Sequence, residues 1–161
     1  MQQAAGSPSA KGAMTPDDGA RLKTDLHRIF DSQISTFGSY NLIYGYGSAE
    51  YPQPRTGVAP GTRRDFIVGY CMKPVEVVFA PFLLPSLEPV EQATAVNATN
   101  LAFAEIGTDS WYAVETNIGV RFGVTVRGRV ELTVGGGTCW LDQTDDAEDF
   151  ARFMAGEFAG L

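Results

Sequence analysis

Histidine and cysteine are nearly missing from this chain. His27 is its one histidine, and Cys71 and Cys139 are its two cysteines. A structural zinc site needs four nitrogen or sulfur ligands, and three such residues cannot close one. No metal or other cofactor is therefore expected. Two cysteines make at most one disulfide and no framework. They read either as unpaired, buried thiols in a reducing compartment or as a Cys71–Cys139 bridge, because both fall in strand-like segments that can be neighbours. Long apolar runs are missing as well. Each is broken by Gly, Pro or charge well short of the roughly 20 residues of a membrane span. No basic stretch followed by an apolar one is visible near residue 1, so the chain does not read as secreted, and a soluble, cytoplasmic protein is expected. Positive charge is also short. The net charge is −7, and the last 26 of the 161 residues hold six acids and one base. Such a chain is repelled by nucleic acid and by anionic membranes, so neither is expected as a partner.

Catalytic signatures are absent in the same way. Around Ser48 the run Gly45-Tyr46-Gly47-Ser48-Ala49 has Ala where a nucleophile elbow needs Gly. His27 as a general base, with Cys71 or Ser48 as nucleophile, would need hydrogen-bond reach and a third orienting group, and the sequence displays neither. Gly57 to Arg63 has its glycines too close for a phosphate-binding loop, and Arg in place of Lys. Asp142, Asp145, Asp146, Glu148 and Asp149 do not match the alternate-position ligand spacing of a calcium loop. They read as ordinary acids at a helix start.

What is present is pattern. Residues 1–14 are Gln, Ala, Gly, Ser and Pro without period, which reads as a disordered tail before a single domain over 15–161. Thr15-Pro16-Asp17-Asp18 can start a helix, and Leu22, Leu26, Ile29, Phe30 and Ile34 then recur at helical spacing until Gly38. Asn41–Tyr46, Asp65–Met72 and Val75–Ala80 read as strands, the last two as a hairpin across Lys73-Pro74. Pro81-Phe82-Leu83-Leu84-Pro85 is an apolar plug, and Glu88–Val96 has room for a short helix. At the other end Asp145 and Glu148 have capping-box spacing, ahead of the helical stripe Phe150, Phe153, Met154, Phe158 and Leu161.

Residues 101–134 are the best specified. Tyr112, Val114 and Thr116, then Val120 to Val126, then Val130, Leu132 and Val134 place their apolar side chains at every second, even-numbered position, the period of a sheet with one buried face. Residues opposite one another in an antiparallel pair share a face, so even must meet even, and the connecting loops must have an odd number of residues. Asn117-Ile118-Gly119 fits, with Gly119 at the positive-φ position. It predicts the pairs Val114–Phe122, Tyr112–Val124 and Glu115–Arg121. Arg127-Gly128-Arg129 is the next odd loop.

The element order is helix, three strands, a linker, three or four strands, helix. This predicts an α+β fold: a mostly antiparallel, strongly bent sheet or small barrel of about seven short strands between two amphipathic helices. Over residues 40–161 the order resembles a pleckstrin-homology-like small barrel with an added N-terminal helix. That resemblance implies a fold and no function.

Binding residues are sought where the chain is uneconomical. The 47–64 segment is too long for a connector. It carries Tyr51, Arg55, Arg63 and Arg64, residue types that dominate binding hot spots, together with prolines that limit the freedom of the unbound chain. With Lys73, these arginines are candidates to surround a small anion such as phosphate or carboxylate. Phe82, Leu83 and Leu84 cannot all lie on one sheet face, which makes them a candidate interface for self-association or a protein partner. Asn97-Ala98-Thr99 fits the glycosylation sequon, which matters only outside the cell. The first expectation is a non-catalytic binding or assembly module contacting a protein or small anion through 47–64. A polypeptide-holding, chaperone-like protein and a small-ligand carrier or motif-free enzyme are the alternatives.

Overall fold

The computed structural model describes residues 16–34, 39–53 and 61–161. The expected tail at 1–14, the cap Thr15, the helix stop Gly38 and the candidate Arg55 lie outside them. Helix α1 spans Pro16–Gln33. Strands follow as β1 (Asn41–Glu50), β2 (Arg64–Met72), β3 (Val75–Leu83), β4 (Glu88–Pro89), β5 (Thr94–Asn97), β6 (Leu101–Ile106), β7 (Trp111–Thr116), β8 (Arg121–Thr125), β9 (Arg129–Val134) and β10 (Gly137–Asp142). Helix α2 (Thr144–Phe153) continues into a π-helical turn, Met154–Phe158.

The large sheet has the order β4-β3-β2-β1-β8-β7-β6, with β5 also on β3, and all its pairs are antiparallel. It curls hard. In a flat sheet β3 and β8, three places apart, would lie about 14 Å from each other, yet the rings of Phe79 and Phe122 stack with centroids 4.3 Å apart. Phe66, on the strand between, packs edge-on against both. The curl is permitted at the β1–β8 joint, where Gly47 pairs with Val124 and Ser48 with Gly123: a Cβ on Gly47 would overlap the Gly123 carbonyl. The ends of the sheet come round to each other, since only Ala98–Asn100 separate β5 from β6. No ladder joins these two strands among the described residues, so the sheet stays open. The π-turn lies against both β3 and β6 and closes the seam with Met154 and Phe158.

The fold is thus mixed α+β on a mostly antiparallel sheet, as expected, but among the described residues it has ten strands rather than about seven and no barrel closure. One core fills the concave side, with Phe66, Phe79, Phe122, Tyr70, Tyr112 and the α2 residues Phe150 and Phe153. The other lies on the convex side, where Leu22, Leu26, Ile29 and Phe30 of α1 meet Tyr44, Ile67, Phe82 and the β9–β10 hairpin. Both helical stripes are buried as expected, except Ile34, which is half-buried, and Leu161, which is exposed.

The register deduced for β7 and β8 is the observed one, pair for pair, with Gly119 at φ +86°. Three other expectations are corrected. Glu88–Val96 forms β4 and β5 rather than a helix, because β3 offers a free edge to both. The 127–129 segment is not a hairpin loop: β8 is already paired on both edges, by β1 and β7, so β9 leaves the sheet and pairs with β10 on the convex side. The even-numbered stripe of β9 packs against the other core all the same, with Leu132 buried and Val130 and Val134 half-buried. Asp145 and Glu148 form no capping box. Gln143 precedes α2 without a side-chain cap, and the Asp142 carboxylate accepts the Thr144 N–H and hydroxyl, which holds its pKa below the usual carboxylate range. Cys71 and Cys139 are free thiols, not a bridge, one ending β2 and the other buried under α1. No described helix is long and apolar enough to cross a membrane.

Candidate functional site

The sequence candidates separate in space. β1 runs to Glu50 and β2 starts at Arg64, so the connector is 51–63 rather than 47–64. Tyr51 is not an exposed loop residue. It packs against the concave core, and its hydroxyl donates to Glu91 at 3.1 Å. Arg64 is not in the loop either. As the first residue of β2 it points to the same face as Phe66, and it forms an ion pair with Glu91 with only 11% and 17% of the two side chains exposed. These two residues are internal tethers. Phe82 is buried in the convex core and Leu84 packs against that core, which leaves Leu83 alone exposed. Alternation along β3 thus resolves what three consecutive apolar residues left open. Lys73 sits in the exposed β2–β3 turn, away from the arginines. In the sequon, the Asn97 amide is occupied: its Oδ1 accepts from Thr99 and its Nδ2 donates to Glu76.

Arg63 is the candidate that finds company. Just ahead of β2, it lies over the ring of Tyr46 at 4.5 Å and donates to the Tyr44 hydroxyl at 3.3 Å. Tyr44 in turn donates to Asp65, whose carboxylate is 3.5 Å from Arg63. Burial, then Asp65, pushes the Tyr44 phenol well above its ordinary range. Burial alone would lower Arg63, but Tyr44 and Asp65 outweigh it and raise its pKa.

Across a cleft of about 350 Å³, Arg63 faces Arg127 and Arg129, with Glu131 and Leu132 of the hairpin forming the wall. Arg127 hydrogen-bonds the Tyr46 side chain, and this contact raises its pKa. Arg129 lies over the Trp140 ring at 4.7 Å. An arginine can only donate, so the Tyr46 oxygen is the acceptor for Arg127. Among the described residues no carboxylate is within ion-pair distance of Arg127 or Arg129. Three arginines, two of them with the guanidinium over an aromatic ring, therefore line one cleft in an otherwise acidic chain.

The segment carrying Arg127 is held by a residue the sequence did not flag. Gln143 is buried, and its amide donates to the Arg127 carbonyl at 2.8 Å while its backbone N–H donates to the Gly128 carbonyl at 2.7 Å. Arg127 and Arg129 were legible only as an Arg-Gly-Arg interruption between two strand patterns, and that interruption marks where the chain leaves the sheet. Compared with protein-family models, with curated proteins and with solved structures, the chain matches none of them.

Proposed function

We propose that this chain is a non-catalytic binding module that recognises an anionic group, on a small molecule or on a protein partner, in the cleft formed by Arg63, Arg127 and Arg129. The observation carrying this reading is the convergence of three guanidiniums, two without a carboxylate partner among the described residues. Arginine forks are the side chains best suited to carboxylate and phosphate oxygens. Clefts of this size are typical of small-ligand sites. The concave interior offers no rival reading as a carrier cavity, because stacked aromatic rings fill it. Two free thiols are in keeping with a reducing compartment. For the fold, the pleckstrin-homology-like arrangement remains our proposal, supported by a curled antiparallel sheet with a C-terminal helix across its seam.

An NMR titration of backbone amides with sulfate tests the reading. Shifts are expected at Arg63 and along 127–132, and they should vanish in Arg127→Ala/Arg129→Ala. A flat response at those amides sinks it.

A further inference from the structure

Resting on that reading, we infer that the group the cleft accepts is a phosphoryl dianion, carried as a phosphomonoester or as free phosphate, rather than a carboxylate. The argument is one of geometry. The three arginines come from three places, the end of the 51–63 connector, the β8–β9 crossing and the start of β9. Each is fixed by a different contact: Arg63 by the Tyr46 ring and Tyr44 hydroxyl, Arg127 by the Tyr46 side chain, Arg129 by the Trp140 ring. The three side chains thus reach one cleft from separate parts of the chain. A planar carboxylate has two oxygens in one plane and fills one fork. A phosphoryl group has three terminal oxygens in a pyramid, one for each guanidinium.

The groups facing the bound anion are Arg63, Asp65, Arg127, Arg129, Glu131 and the two tyrosines. Asp109 stands behind Arg127, and Asp142 lies opposite Arg129 in the hairpin register. Arginine keeps its charge throughout the accessible range. The second ionisation of a phosphomonoester lies near pH 6, so the dianion grows roughly tenfold between pH 5 and pH 7.

Isothermal titration calorimetry with phenyl phosphate, inorganic phosphate, benzoate and sulfate, from pH 5 to pH 7.5, tests the inference. Affinity for phenyl phosphate should rise about tenfold between pH 5 and pH 7, following its ionisation. Affinity for sulfate, which carries two charges throughout, should change less than about twofold, which controls for titration of the protein itself. Benzoate should bind at least about tenfold more weakly than phenyl phosphate, lacking the third oxygen. Arg127→Ala and Arg129→Ala, both at exposed positions, should each weaken phenyl phosphate and leave the thermal midpoint in place. Phenyl phosphate binding more tightly than inorganic phosphate assigns the ester, and the reverse order assigns free phosphate; both orders keep the phosphoryl group. Benzoate binding as tightly as phenyl phosphate at every pH overturns the phosphoryl assignment and leaves an anion site standing. Binding by none of the four overturns the anion site itself.

Discussion

The side-chain amide of Gln143 stands beside Tyr44 in the place of a neighbouring strand. Its Oε1 accepts the Tyr44 N–H at 2.9 Å, and its Nε2 donates to the Tyr44 carbonyl at 2.8 Å. β8 reaches β1 only from Tyr46 onward, so this edge of Tyr44 has no ladder partner of its own. One glutamine completes the ladder and, through the Arg127 carbonyl, ties it to the candidate cleft.

Gln143→Leu keeps the volume and strips the partner from three backbone groups. The expected loss is about 2–4 kcal/mol of unfolding free energy, because unsatisfied buried polar groups cost roughly 1–3 kcal/mol each. Urea denaturation measures it, and a loss below about 0.5 kcal/mol would mean that water replaces the amide at no cost.

Phe153→Ala probes the helix that covers the seam. The ring is buried 5.0 Å from that of Tyr70, and its removal is expected to cost about 3–5 kcal/mol. A chemical-denaturation loss under about 1 kcal/mol would remove α2 from the core.

Arg64→Ala leaves Glu91 without its guanidinium. The expected cost is about 2–3 kcal/mol, below the 3–5 kcal/mol of a fully buried pair because both side chains keep some exposure. Replacing both partners, Arg64→Met with Glu91→Gln, should recover part of that loss. A double variant no more stable than Arg64→Ala contradicts this account.

Alkaline pH should loosen the fold. Burial, then the hydrogen bond to Asp149 and its charge, raises the Tyr70 phenol well above its ordinary range. Tyr44 is raised in the same direction by burial and Asp65. A group whose ionisation is raised on folding contributes its full stability below the unfolded value, near pH 10, and loses it as pH climbs through the folded value. Unfolding free energy should therefore fall above about pH 10, and Tyr70→Phe should flatten part of the fall. Identical slopes for wild type and variant exclude Tyr70 as a contributor.

What could be read from the sequence was whatever depends on near neighbours. The pairs of Tyr112–Thr116 with Arg121–Thr125 follow from side-chain parity and a three-residue loop, and both terminal helices follow from their stripes. Parity does not say which strand a free edge will meet. It could not show that β1 takes the second edge of β8 and sends β9 elsewhere, or that β3 recruits Glu88–Pro89 and Thr94–Asn97 as strands. The site suffered from the same blindness. Arg63 was named for its loop, but its companions Arg127 and Arg129 are more than sixty positions away, brought near only by that rerouting. Tyr51 and Arg64 have the chemistry of contact residues and were spent on tethering the chain to Glu91.

The joint at Gly47 and Gly123 also sets an order of events. β1–β2–β3 and β6–β7–β8 are each meanders of sequence neighbours, which can pair at small cost in loop entropy. Among the described residues only the β1–β8 ladder unites them, Glu50 meeting Arg121 and Tyr46 meeting Thr125, across seventy or more residues of intervening chain. Loop closure of that length must precede the contacts that reward it. The curl, the stacking of Phe79 on Phe122 and the convergence of the three arginines all wait on this one union. The meanders are therefore expected to form early, and the cleft between Arg63, Arg127 and Arg129 to be among the last features of the molecule to come into being.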